Sequence, residues 1–160
     1  MCKNDLDKIF SEYYERKKIE EEVSETEKLE EQEKIELIID KLKEIIIPVI
    51  EAISKEIEAK GYKTSVSKRL ENHAYPSVEL SFSPIPKQEE NFTYLLNSSI
   101  SFVSSKSGNL AIRKNIRSIN GNSSKEHKGG STFGENIDNL TKNWVKTEVI
   151  KFIKEVLISN

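Results

Sequence analysis

His127 stands within residues 120–134, between Lys125 and Lys128 and just ahead of Gly129 and Gly130. An imidazole among cations beside a glycine pair has the makings of a general base at an anion-binding turn. A base also needs a nucleophile or an orienting carboxylate, and none lies at a diagnostic spacing, so a solvated loop histidine is expected. The phosphate-binding patterns GxxxxGK[ST] and GxGxxG are absent, as is the GxSxG nucleophile elbow. Two distant histidines, His73 and His127, and the single cysteine Cys2 supply no metal-ligand spacing, no internal disulfide and no redox pair. These absences point to a non-enzyme with no cofactor.

Binding chemistry is better represented. Residues 106–128 hold six bases (Lys106, Arg113, Lys114, Arg117, Lys125, Lys128) against one acid, Glu126. Strand alternation puts Arg113 and Arg117 on one polar face, and with Lys125 and Lys128 they are the candidate anion or nucleic-acid contacts. The neighbouring strand offers Ser, Asn and Thr where single-strand readers carry aromatic platforms, which ranks nucleic acid behind protein as a partner. Trp144, Phe152 and Tyr94 are spaced for burial, and core is expected of them before a ligand pocket.

A second candidate surface is apolar. Leu6, Ile9, Phe10 and Tyr13 recur at helical spacing near the N-terminus. From Glu15 to Lys34 only Ile19, Val23 and Leu29 interrupt a run of polar and charged residues, so this stretch is expected to be a solvated helix or a tether, with Ser24 and Glu27 as a capping box. A patch cut off from the core in this way needs another surface to cover it. A protein-interaction module that self-associates or docks a partner through this arm is the leading expectation. Nucleic-acid binding on the basic face is the alternative.

The elements that position these residues follow from periodicity. Ile35, Ile38, Ile39, Leu42, Ile45, Ile46, Val49, Ile53 and Ile57 mark one side of a helix, and the apolar run from Ile45 to Ile50 spills past that stripe. Pro48 lacks an amide proton and crowds the carbonyl of Glu44, so a bend is expected there; Gly61 suits the left-handed position that ends the helix. The period then becomes two. Strands are expected over Tyr62–Val66, over Val78–Phe82 with Pro84 and Pro86 closing the ladder, over Phe92–Phe102, and over Leu110–Arg117 after a turn at 106–109. Residues 120–134 read as a Gly/Ser-rich loop, and Ile137, Leu140, Trp144, Val145, Val149, Phe152, Ile153 and Val156 as a final helix with Asn136 as its cap. The expected fold is an α+β two-layer sandwich: a four-stranded antiparallel meander packed by a long bent N-terminal helix and a C-terminal helix. Residues 1–34 would form a charged helical or flexible extension and 35–160 a single domain.

Residues 1–60 hold 18 acids and 11 bases, and residues 61–160 hold 9 acids and 14 bases, so the net charge of -2 conceals opposite halves. No run of 18 apolar residues and no hydrophobic leader is visible, which reads as a cytoplasmic chain without a transmembrane segment. A leading cysteine, a hydrophilic spacer and a domain rich in Lys, Ile, Asn and Ser form a layout that resembles mature bacterial surface lipoproteins over about the first 34 residues, though no lipobox precedes Cys2. That resemblance implies a lipidated Cys2, a charged tether, a ligand-binding domain and a cell-surface location, the one route by which a membrane would become a partner.

Overall fold

The computed structural model describes residues 2–71, 74–86, 97–105, 108–120 and 123–160. Expectations placed on His73, on Phe92, Tyr94 and Leu96, on Lys106 and on the side chain of Cys2 lie outside the described residues.

Helix α1 runs from Cys2 to Lys41, a wider π-helical turn occupies Leu42–Ile46, and α2 continues over Ile47–Ala59. The short N-terminal helix, the charged stretch and the isoleucine-rich helix thus join into one rod, and Ser24 sits in its interior instead of capping a new start. Glu, Lys and Gln are strong helix formers, so propensity carries the backbone through a stretch that has no packed face. Pro48 acts one turn before itself. Its missing N–H leaves the Glu44 carbonyl without the usual donor, and the helix widens there, with the Ile47 amide donating to the Leu42 carbonyl five residues back. The rod ends as expected: Gly61 adopts φ 92° and its amide donates to the Glu58 carbonyl at 2.9 Å.

Five antiparallel strands follow in simple order: β1 (Tyr62–Arg69), β2 (Ser77–Pro86), β3 (Ser98–Ser104), β4 (Leu110–Asn120) and β5 (Ser123–Thr132). The meander was expected to have four. Residues 120–134 are mostly strand β5 in place of a loop, paired with β4 from Asn120 opposite Ser123 to Ala111 opposite Thr132. Lys125–Ser131 are exposed on an edge strand, so nothing selects for alternation of apolar residues, and backbone pairing alone sets the register. The two prolines do not close β2 either. Pro86 lies opposite Tyr62, and an irregularity between Tyr62 and Thr64 absorbs the mismatch; among the described residues β2 pairs with β3 from Ser77 to Phe82.

One face of the sheet is apolar and covered. Val78, Leu80, Phe82, Ile100, Phe102, Leu110 and Ile112 are buried with Ile38, Leu42, Ile46 and Ile50 of the rod and with Val145, Val149, Phe152 and Val156 of α3 (Lys142–Ser159). Burying each such side chain is worth about 1.5–3 kcal/mol. Ile45, Ile47 and Val49 pack against the same cluster, so the apolar surplus near Ile45–Ile50 is absorbed within the chain and offers no separate docking face. Trp144 is half-buried, its ring meeting Phe133 edge-on at 4.9 Å between centroids. Ser98, the polar interruption on the apolar side of β3, is fully buried, and its Oγ accepts from the Arg117 amide at 2.9 Å.

The last helix starts later than Asn136. That residue caps a short 3-10 turn, Ile137–Asn139, and Thr141 caps α3, its Oγ1 accepting from the Trp144 amide at 3.2 Å. At the other end Asn160 Nδ2 donates to the Val156 and Arg117 carbonyls at 3.0 Å each, tying α3 to β4. Gly108, at φ 80°, lies where a Cβ would come within 2.4 Å of Lys34 Cβ; this close approach seats the end of the exposed arm on the turn before β4.

Candidate functional site

The N-terminal arm is the first of two uncovered surfaces. Residues 3–34 are exposed throughout, a helical length of about 48 Å at 1.5 Å per residue. Leu6, Ile9, Phe10 and Tyr13 fall at i, i+3, i+4 and i+7, which places all four on one face across two turns. Each remains 49–60% exposed, and Tyr14 extends the patch with its ring against Phe10 and Tyr13 at 6.4 and 5.7 Å. Lys17 Nζ lies 5.3 Å from the Tyr13 ring centroid and closes the patch at its inner end. Beyond it the apolar residues lose their common face. Residues 20–33 contain eight acids and one base, so the stem of the arm is strongly anionic.

The second surface is the uncovered face of the sheet. Direct cross-strand neighbours share a face, so the pairings Ser67–Glu79, Glu79–Ser101, Ser101–Arg113 and Arg113–Gly130 define one row running across all five strands. A second row runs Ser65, Ser81, Ser99, Asn115, Lys128, and a third begins Arg69, Ser77, Val103. Together they floor a trough of about 530 Å3, with Tyr75 exposed at its rim. That is the size of a small-molecule site.

The trough has two cationic ends. Arg113 and Lys128 are diagonal neighbours on β4 and β5, about 7–8 Å apart at Cα. Arg69 stands on β1, three strand spacings or about 14 Å across the sheet from the strand of Arg113 and one row further along. Among the described residues none of these three takes part in an ion pair. The floor between them is different in kind. Glu79 Oε2 accepts from Ser101 Oγ at 2.8 Å; Asn115, opposite Lys128 at the β4–β5 end, has an Oδ1 that is sealed from solvent and has no hydrogen-bond partner among the described residues. Gly130 lies opposite Arg113, where a Cβ would come within 3.0 Å of the Ile112 carbonyl oxygen.

Of the four expected basic contacts, three share this face and one does not. Arg113 and Lys128 are free, and Arg117 lies 3.9 Å from Glu126 in a half-exposed pair. Lys125, opposite Ser118, belongs to the alternate set of β5 positions and faces the other way. His127 is opposite the buried Ile116, exposed and apart from the trough. Lys114 also leaves the group, pairing with Glu155 of α3 at 3.3 Å. Sequence reasoning missed Arg69 because the first strand was expected to end at Val66, although Ser65, Ser67 and Arg69 continue the alternation of β1. Tyr75, Glu79 and Asn115 were not singled out from the sequence either.

Glu51 on α2 is held below the usual carboxylate range by a hydrogen bond and the charge of Lys68 on β1, a contact that fastens rod to sheet. Among the described residues no helix is long and apolar enough to cross a membrane, and no cluster of His, Cys, Asp and Glu could hold a metal ion. No family model matches the chain, and neither curated proteins nor solved structures give a match.

Proposed function

We propose that this chain is a protein-interaction module that docks a partner through the tip of its N-terminal helical arm. The observation that carries this reading is the placement of Leu6, Ile9, Phe10 and Tyr13 at i, i+3, i+4 and i+7 on a helix face that no other described element covers. This is the anchor pattern of a helix laid in an apolar groove, where non-reacting apolar side chains supply affinity and their spacing supplies register. The anionic stem at residues 20–33 favours a groove flanked by Lys and Arg, and it opposes a parallel pairing of two arms along their length.

The test compares the full chain with Leu6→Glu/Phe10→Glu and with a form lacking residues 1–30. All three are used as bait in extracts of the source cells, and their masses in solution are measured. A partner retained by the full chain and lost from both altered forms supports docking at the tip. Equal capture by all three, or a monomeric mass throughout with nothing captured, overturns it.

A further inference from the structure

The open face of the sheet carries an inference separate from the arm. A purely solvated sheet face has no reason to gather unpaired cations at both ends of a trough with a carboxylate on the floor between them. Glu79 supplies acceptor capacity there. The trough therefore matches a ligand with an anionic group at the β4–β5 end and hydrogen-bond donors in the middle. Tyr75 offers a flat, exposed ring at the rim near Arg69, where an aromatic group could stack between phenol and guanidinium.

We propose that the trough binds a mononucleotide: phosphate on Arg113 and Lys128, sugar hydroxyls on Glu79, and base against Tyr75 and Arg69. Its cavity of about 530 Å3 suits one nucleotide. The position of Glu79 argues against a nucleic-acid strand crossing the sheet, because each phosphodiester passing over the floor would meet that carboxylate. A strand would also find few stacking partners, since the floor residues are Ser and Asn.

Titration calorimetry on the full chain at low salt tests this with four probes: ATP, adenosine, tripolyphosphate and a ten-residue oligothymidylate. Saturable one-to-one binding of ATP is expected, with adenosine and tripolyphosphate each weaker. Arg113→Gln and Lys128→Gln should each weaken ATP by about tenfold or more, while Tyr75→Ala costs about threefold to tenfold and leaves tripolyphosphate unchanged. All three positions are exposed or at the rim, so thermal melting of the variants should match the parent. No saturable binding of ATP overturns the site. Tripolyphosphate binding as tightly as ATP, with Tyr75→Ala silent, reduces it to a plain cationic patch and overturns the nucleotide. Tighter binding of the oligothymidylate overturns it in favour of a nucleic-acid surface.

Discussion

The two ends of the same helical rod differ more from one another than either differs from its neighbours in composition. Residues 3–34 and residues 35–59 are both built from Glu, Lys and aliphatic side chains, yet the first stretch is exposed at every position and the second buries Ile38, Leu42, Ile46, Ile50, Ile53 and Ile57. The difference lies in continuity of the apolar stripe. In the second stretch the steps of three and four are unbroken for six turns, so each residue reaches the same sheet. In the first they hold for two turns at the tip and then scatter. Helix propensity sets the backbone of both stretches, and only the stripe decides which one is packed.

That contrast can be broken by substitution. Ile46→Ala removes a fully buried side chain between rod and sheet, and should cost about 2–5 kcal/mol in denaturant unfolding. Gly108→Ala tests the place where exposed arm becomes seated rod. It forces an L-residue to φ 80° and drives a methyl into Lys34, so a loss of about 1–3 kcal/mol is expected. Thr141→Ala removes the cap of α3 and should cost about 1 kcal/mol, with Thr141→Ser close to the parent. Phe10→Ala, on the arm, should shift stability by less than about 0.5 kcal/mol, because its side chain is 55% exposed. A loss on the scale of Ile46→Ala would show that the tip folds back onto the domain.

The smallest effect is a titration. Because the Glu51 carboxyl is depressed in the folded chain, its contribution to stability is present above the unfolded-state value and fades as pH falls through the folded one. Carboxyl NMR should place its midpoint below that of a free glutamate side chain, and Lys68→Met should raise it.

Much of this arrangement is legible in the residues, and the failures have physical causes. The rod's stripe, the Gly61 stop, the alternation of β2 and β4 and the helical face of α3 all arise from burial against one sheet face, which leaves a period in the sequence. β5 leaves none, since its ladder is made by backbone groups that every residue carries. The Asn120-Gly121 pair, a recognised hairpin-turn signal, was the available clue. The π-helical turn before Pro48 was readable as a disruption, but its form depends on how the widened turn packs. For the trough, alternation placed Arg113 and Arg117 together. Lys128 was grouped with them by its charge; Arg69 could not be, because it reaches that face only through the register of the strand pairings between β1 and β4, and Tyr75 lies in the loop before β2.

Hydrogen exchange of the isolated, dilute chain, resolved by segment, measures most directly whether the arm is left uncovered by its own fold. The account predicts rapid exchange over residues 3–34, slow exchange over 38–59 and the central strands, and new protection centred on residues 6–13 when a captured partner is added. Arm amides as slow as those of the packed rod in the chain alone would contradict it.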